Sequence, residues 1–378
     1  MSEQKRGPIQ DVNIALGDDL SSMLYEASRQ TFNNRPGLVD EQFAGFAGFR
    51  AMHLNRFYGV EDLCVNLDSD GVGTKVEISE RLGDHSAVAH DLFAMICDDA
   101  GTRGAEPIAV TSVLDVRQLN DDEYTRSAVR QLCAGYISAA KAAGVVVVNG
   151  ETAELGDRVG GYGDFNYNWA GTTMWLAHPS RILTGAKVRP GHTLVGFTEP
   201  GFRSNGITGV RKAFGEALGP DWHDRVIPGL GELSLGKQLQ RPSTIYTRLV
   251  TQLTGGYDIR REPAADISGI AHITGGGQPS KLGRMLKPSG LGAVITDPID
   301  PPAIMRYAQE IRGFSDEDAY RSWHMGPGMI VATPDPDNVI REALAYGISA
   351  QEIGEVTARP GIHIENRDAA GGAKRLSF

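Results

Sequence analysis

Cysteine, basic charge and long apolar runs are what this chain of 378 residues is short of. Its three cysteines, Cys64, Cys97 and Cys133, include no CxxC pair, which argues against a disulfide framework or a zinc site and leaves buried reduced thiols. Lys and Arg number 37 against 47 Asp and Glu, a formal charge of -10, so a nucleic-acid partner is not expected. An anionic ligand would then need metal ions to offset the repulsion. No apolar run reaches the roughly 18 residues of a membrane span, and Met1-Ser-Glu-Gln-Lys-Arg6 leads into no secretory core. No membrane partner is expected, and the cytoplasm is. Short repeats and low-complexity tracts are absent too.

Glycine is plentiful, and its placement carries the chemistry. Asp68-Ser-Asp70-Gly-Val-Gly-Thr-Lys75 follows a β-like run, Leu63–Leu67, and precedes a helical one, Val76–Leu82. Asp70, two glycines that let backbone N–H groups approach a ligand (Gly71 and Gly73), the Thr74 hydroxyl and Lys75 suit a magnesium-bound polyphosphate at a strand-to-helix joint. Plain turn chemistry is the competing reading. The stretch is not a Walker loop, which needs G-x-x-x-x-G-K-[ST].

The length suits two domains, divided here as 1–177 and 178–378. Residues up to about Gly17 read as an arm or a strand, and Met23–Phe32 as a helix that Asp18 and Asp19 either cap or leave as metal ligands. Gly45 and Gly48, set among Phe43, Phe46 and Phe49, read as an aromatic-packed loop. In the helix expected over 86–104, Asp99 falls on the apolar arc of Val88, Leu92 and Ile96, with Asp91 and Asp98 on its flank. A carboxylate there must be paired, for instance with Arg103, or hold a metal. Asn120–Glu123 opens a helix as a capping box, and Val145–Val148 reads as a buried strand. Asn149-Gly-Glu151-Thr152-Ala-Glu154 then reads as a loop at the strand end, where open sheets place ligands. Asp157–Asp164 reads as mobile, and Asn166–Leu176 as a strand. In the second half, Arg203-Ser204-Asn205 start a helix over Ile207–Leu218 and serve either as a cap or as an anion site. Ile270-Ala-His272-Ile-Thr274-Gly275-Gly276-Gly277 is the second glycine cluster, and ordering three glycines implies a close approach worth its entropy. His272 alone reads as a core histidine. The stretch after Val356 gives no usable signal.

Taken together, Asp70–Lys75, Gly104-Ala-Glu-Pro107, Gly150–Glu154, Ser204-Asn-Gly206, Val210-Arg-Lys212, Arg241–Tyr246, Ala271–Gly277, Met325–Met329 and Ile353–Val356 resemble phosphoribosylformylglycinamidine cyclo-ligase, also called aminoimidazole ribonucleotide (AIR) synthetase. The likeness runs from about residue 17 to 356. It implies a two-domain fold of class α+β / α/β, with an N-terminal mixed α+β domain whose sheet dimerises and a C-terminal α/β domain. It implies a homodimer and a C–N ligase that uses ATP and Mg²⁺ to close formylglycinamidine ribonucleotide into AIR, releasing ADP and phosphate in purine biosynthesis. Carried onto this sequence, the metal role falls to Asp70, Asp99 and Glu151, with Asp91, Asp18 and Asp19 as weaker candidates. Lys75, His272 and Asp99 become the catalytic set, His272 as a proton-transfer group. Gly71, Gly73, Thr74, Thr152, Arg203, Ser204, Asn205, Thr274, Gly275 and Gly276 become contacts to ATP or ribonucleotide.

Departures from the family pattern cluster in those loops. Arg203 stands where His is usual, Asn149 where Gly is, His324 where Asn is common and Asn168 where Asp is frequent. Gly17-Asp-Asp-Leu-Ser-Ser22 is more similar to a segment of related ATP-using kinases. Two alternatives follow from this: another ATP-dependent phosphotransferase of the superfamily, thiamine-phosphate-kinase-like, or a non-catalytic nucleotide-binding paralogue. Selenophosphate synthetase is disfavoured because no Cys precedes Cys64, and a hydrogenase-maturation dehydratase because the last residues include no Cys.

Overall fold

The structure, a computed structural model, describes residues 14–40, 51–52, 57, 59–60, 62–367 and 373–378. Of the arm or strand expected up to about Gly17, the part before residue 14 lies outside the described residues, as does the aromatic loop at 43–49, and residues 14–17 are instead helical.

The first half runs α1 (Ile14–Gln30), β1 (Val39–Asp40), β2 (Ala51–Met52), β3 (Cys64–Gly71), α2 (Val76–Leu82), α3 (Val88–Gly101), β4 (Glu106–Val116), α4 (Glu123–Ala143), β5 (Val146–Glu154) and β6 (Tyr167–Ala177). A four-stranded sheet has the order β3-β6-β4-β5. Only β4 and β5 are parallel, and α4 makes the crossover that a parallel pair requires. The side chain of Asp122 caps α4 by accepting from the Thr125 N–H, and Gly144 ends it at φ 72, a left-handed geometry that suits glycine. Helices α1, α3 and α4 bury one face of the sheet around Leu92, Phe93, Leu132 and Trp169. The other face carries Val65 and Leu67, 61% and 60% exposed, beside Val113 at 43%.

The second half runs β7 (Thr193–Thr198), α5 (Ile207–Leu218), α6 (Leu235–Gln240), α7 (Thr247–Thr254), β8 (Gly269–His272), α8 (Gly277–Leu286), β9 (Gly292–Ile295), α9 (Ala303–Arg312), α10 (Asp316–Ser322), β10 (Pro327–Thr333), α11 (Pro336–Ala345), β11 (Ala350–Thr357), β12 (Gly361–Arg367) and β13 (Ala373–Ser377). Its seven-stranded sheet has the order β13-β12-β9-β11-β7-β10-β8, with β12 and β9 as its parallel pair. Helices cover both faces, so β10 is buried at every residue. The two halves interlock. Ile78 of α2 packs into the core of the second half, and Ile245 into that of the first.

Several expectations are corrected. Gly150–Glu154 is not a loop, because β5 stays in register with β4 through Glu154 once a bulge at Val110/Thr111 has been absorbed. Asp18 and Asp19 lie inside α1 and therefore cap nothing. The capping residue of α4 is Asp122, not Asn120. The stretch after Val356 forms β12 and β13, whose pairing partners are each other and β9.

Candidate active site

A cleft forms where the end of β3, the C-terminal turn of α3, the start of α5 and the β8–α8 turn meet. Asp70 ends β3 with its carboxylate folded onto its own chain, Oδ1 accepting from the Gly71 N–H at 2.7 Å. The following turn docks against α5: the hydroxyls of Thr74 and Thr208 lie 2.6 Å apart, and Arg211 donates to the Thr74 carbonyl at 2.9 Å. Lys75 turns inward. Its ammonium donates to Asp91 Oδ1 at 2.7 Å, to the Phe202 carbonyl at 2.6 Å and to the Arg241 carbonyl at 2.9 Å. An ammonium has three donors, and all three are engaged. In this conformation Lys75 is a staple between the halves and offers nothing to a phosphate. Asp91, which also accepts from Ser243, is likewise committed and does not face a metal.

Behind the cleft lies a buried ionic network. Arg203 donates through Nη1 to Glu199 Oε2 at 2.9 Å and through Nη2 to Asp98 Oδ2 at 3.4 Å. Its Nη2 also meets His272 Nε2 at 2.8 Å. A guanidinium can only donate, so Nε2 accepts and the imidazole proton sits on Nδ1, 2.6 Å from Asp99 Oδ1. Both ring nitrogens of His272 are therefore engaged, and the ring orients Asp99 where a proton-transfer group was expected. Burial raises the Asp98 and Glu199 carboxyls, although Arg203 opposes the shift in both. Burial is the largest influence on Asp99 and acts upward, but the hydrogen bond and charge of His272, together with the charges of Lys281 and Arg103, hold Asp99 below the usual carboxylate range. The Asp99 side chain keeps 44% of its surface open to the cleft.

The opposite wall is a cradle. Helices α5 and α8 both start from left-handed glycines, Gly206 at φ 81 and Gly276 at φ 88. Beside these starts, Ser204 Oγ, Asn205 Oδ1 and Trp323 Nε1 are buried without a hydrogen-bond partner. A Cβ on Gly275 would stand 3.5 Å from Asn205 Nδ2, and one on Gly277 only 1.8 Å from the Tyr320 carbonyl oxygen. The glycines thus bring two helix N-termini and three unsatisfied polar atoms to one place, an arrangement suited to a phosphorylated ligand. Thr274 is buried in the same turn, where its carbonyl accepts from the Gly277 N–H. Next to the cradle a cavity of about 210 Å³ is lined by Asp99, Arg103, His272, Lys281 and Arg284. Burial and the nearby Arg284 charge lower the Lys281 pKa, while Asp99 and Asp70 act in the opposite direction. Sequence reasoning passed over these cations. Lys281 and Arg284, one turn apart on the helix that follows the glycine cluster, were the available signal.

The remaining candidates lie elsewhere. Strand pairing sets Glu151 opposite Val113, Val113 opposite Ala170 and Ala170 opposite Gly71, which puts Glu151 on the sheet face of Gly71. Asp70 points to the other face, three strand spacings or about 14 Å away. Glu151 and Thr152 instead line a hollow of about 660 Å³ beneath α1. Asp19 pairs with Arg126; the side chain of Asp18 lies outside the described ones. Among the described residues no three His, Cys, Asp or Glu side chains gather into a ready metal cage. The physical reason is neutralisation, since Asp91, Asp98 and Asp19 each already face a protein cation.

With this geometry established, the chain can be set beside known proteins. Residues 55–173 match the sequence profile of the AIR synthase related protein, N-terminal domain, and residues 189–365 that of the C-terminal domain. A phosphoribosylformylglycinamidine cyclo-ligase of Bacillus cereus (strain G9842) is 30% identical over 351 residues, which are 92% of this chain and 95% of that protein. Among solved structures, thiamine-monophosphate kinase from Stenotrophomonas maltophilia K279a superposes with a TM-score of 0.61 at 16% identity, covering 93% of this chain and 97% of that one. The hydrogenase maturation protein HypE in complex with ATP gives 0.57 at 18% identity, covering 96% and 94%. These two likenesses show the fold; the matched domains and the 30% identity along nearly the whole length show more, and the chain belongs to the phosphoribosylformylglycinamidine cyclo-ligase (AIR synthetase) family.

Proposed function

We propose that this chain is a cytoplasmic C–N ligase that closes formylglycinamidine ribonucleotide into 5-aminoimidazole ribonucleotide, converting ATP to ADP and phosphate. The observation that carries the reading is the cradle. Ser204 Oγ and Asn205 Oδ1 sit buried and unpartnered beside the starts of α5 and α8. Buried polar atoms without partners are rare in a resting protein and are satisfied by a ligand that supplies them.

In this reading the ribonucleotide phosphate lies on the cradle, where N–H groups and helix dipoles favour an anion. The formyl oxygen takes the γ-phosphoryl group as its bond to ADP breaks. An amidine nitrogen then attacks the activated carbon, phosphate leaves, and the ring closes with loss of a proton. Such a sequence needs positioning and charge neutralisation more than a protein nucleophile. Asp70 and Asp99 are the carboxylates that would hold Mg²⁺, which when bound supplies the charge to offset the phosphates. Two carboxylates at one cleft fit an ion that keeps several waters. Lys281 and Arg284 add fixed positive charge on the same side.

The partner in this reading is a second copy of the chain, paired through the open face at Val65, Leu67 and Val113. The engagement of both His272 nitrogens favours a second reading, simple phosphoryl transfer to another acceptor, which makes no use of that ring as a shuttle. Phosphate release from ATP, measured with and without formylglycinamidine ribonucleotide, separates the two. Release that depends on the ribonucleotide, with AIR formed, is the expected result. Asp70→Asn and Asp99→Asn should each lower kcat by roughly 10²-fold. Turnover and Mg²⁺ dependence unchanged in both variants would sink the metal assignment, and no ribonucleotide-dependent release would sink the cyclisation.

A further inference from the structure

A second hollow, which shares no lining residue with the cleft, opens between the C-terminal end of α4, the turn after α1 and the exposed side of α7, with a volume of about 560 Å³. Four cations line it, Arg35, Lys141, Arg248 and Arg261, against two carboxylates, Glu106 and Glu262. On a chain of net charge -10 this is a local reversal of sign.

The hollow is built as well as charged. Arg35 donates through Nη2 to Glu106 at 2.9 Å and to the Pro107 carbonyl at 2.8 Å, and through Nε to the Gly144 carbonyl at 2.9 Å. Arg261 holds the other oxygen of the buried Glu106. That carboxylate is fully answered, and its two guanidinium partners form a fixed floor. Among the described residues Lys141 and Arg248 pair with no carboxylate, although both line the hollow. The Arg248 guanidinium lies 5.8 Å from the centre of the Tyr346 ring, which leaves an aromatic surface beside the free charge.

We propose that this hollow binds a phosphorylated metabolite of nucleotide size, with its phosphate on Lys141 and Arg248 and its ring against Tyr346. Arg and Lys are the side chains that recognise phosphate, and a dianion balances the surplus charge of the lining. Inorganic phosphate alone would leave most of the volume unfilled, whereas small-molecule sites of about 300–1,000 Å³ enclose whole metabolites. The occupant would join α4 of the first half to α7 of the second. It would also lie next to the active site's supports: the Tyr246 N–H and the Thr247 hydroxyl, immediately before Arg248, both donate to Asp98 at 2.9 Å. Asp98 in turn adjoins Asp99, so the site is placed to act as an effector site.

The test uses the full chain with adenosine 5′-monophosphate as probe, followed by hydrogen exchange and calorimetry at low salt. Protection is expected at residues 141–144 and 248–252. The exposed double variant Lys141→Ala/Arg248→Ala should abolish that protection and weaken calorimetric binding by roughly tenfold or more. Asp70→Asn should leave both readouts unchanged, which keeps this site distinct from the cleft. Absence of binding, protection confined to the cleft segments 99–103 and 269–285, or wild-type affinity in the double variant would each overturn the proposal.

Discussion

Arg203 shows how far one side chain can constrain a site. It is fully buried, satisfies Glu199 and Asp98, and fixes the tautomer through which His272 orients Asp99. Arg203→Met keeps much of the volume but leaves two buried carboxylates without their cation. Breaking a buried ion pair in this way costs about 3–5 kcal/mol, to be read as a lower urea midpoint with an unchanged slope. A second residue sets a pH dependence. Burial pushes Glu80 up to about 7, even though the Tyr162 and Tyr167 N–H groups donate to its carboxylate. A folded pKa above the unfolded one means that the folded state holds the proton more tightly. The stability contributed is therefore full below about pH 4.5 and is lost as pH rises through about 7. His85, lowered to about 4 by burial, works in the opposite sense: its contribution is present above about 6.5 and is lost as pH falls. Glu80→Gln removes the titration and keeps a carbonyl oxygen for one of the two N–H groups, which donate to different carboxylate oxygens. The stability lost between pH 5 and 8 should shrink by about 3 kcal/mol relative to wild type, measured by denaturant unfolding at each pH. An identical pH profile in the variant would mean that Glu80 does not titrate in that window.

At the scale of elements, the two glycine clusters were legible because their residue types admit few other uses. Asp70–Lys75 does join a strand to a helix, and Thr274–Gly277 does lead from β8 into α8. The physical demand is plain at Gly277, where φ is 60 and an added Cβ would overlap the Tyr320 carbonyl. Gly277→Ala must push α8 away from α10, with an expected loss of at least about 1–2 kcal/mol, seen as a lowered Tm and slackened protection in the first turn of α8. Wild-type stability in that variant would show that the turn adjusts freely. Helix α5 runs over Ile207–Leu218, where a helix is expected after the Ser204-Asn-Gly206 start. Strand β5 was cut short at Val148 because the β-branched run ends there. What carries it on to Glu154 is pairing with β4, and no local propensity announces a neighbour. Strands β12 and β13 went unread for the same reason.

For the whole molecule, the open face of the first sheet is the feature that a single chain leaves unexplained. Val65 and Leu67 stand side by side along β3 at about 60% exposure, with Val113 on the same face. Leu67→Asp places a charge in the middle of this patch. If the face joins two copies, the mass by light scattering should fall from dimer to monomer at micromolar concentration, with the far-UV spectrum retained. A wild-type chain already monomeric under those conditions would remove the face from the assembly. Glu151 lies on this open face at the far edge of the sheet from Asp70, so any contribution it makes to chemistry depends on what that face meets.

The sequence by itself determined which residue types would be present at strand-to-helix turns, the lack of a disulfide or Walker-type site, and the family resemblance that the domain matches bear out. These are local matters, fixed by glycine's freedom, by apolar spacing and by the order of motifs along the chain. Which acids would be open to a ligand was decided only in three dimensions. Asp99 lines the cleft and Asp70 lies near enough to Lys281 to act on its charge, whereas Asp91 meets Lys75, Asp98 meets Arg203 and Asp19 meets Arg126. A carboxylate's role depends on the cation that folding brings beside it. In these three pairs that cation lies from 16 to 107 residues away in the sequence, beyond the reach of any local pattern.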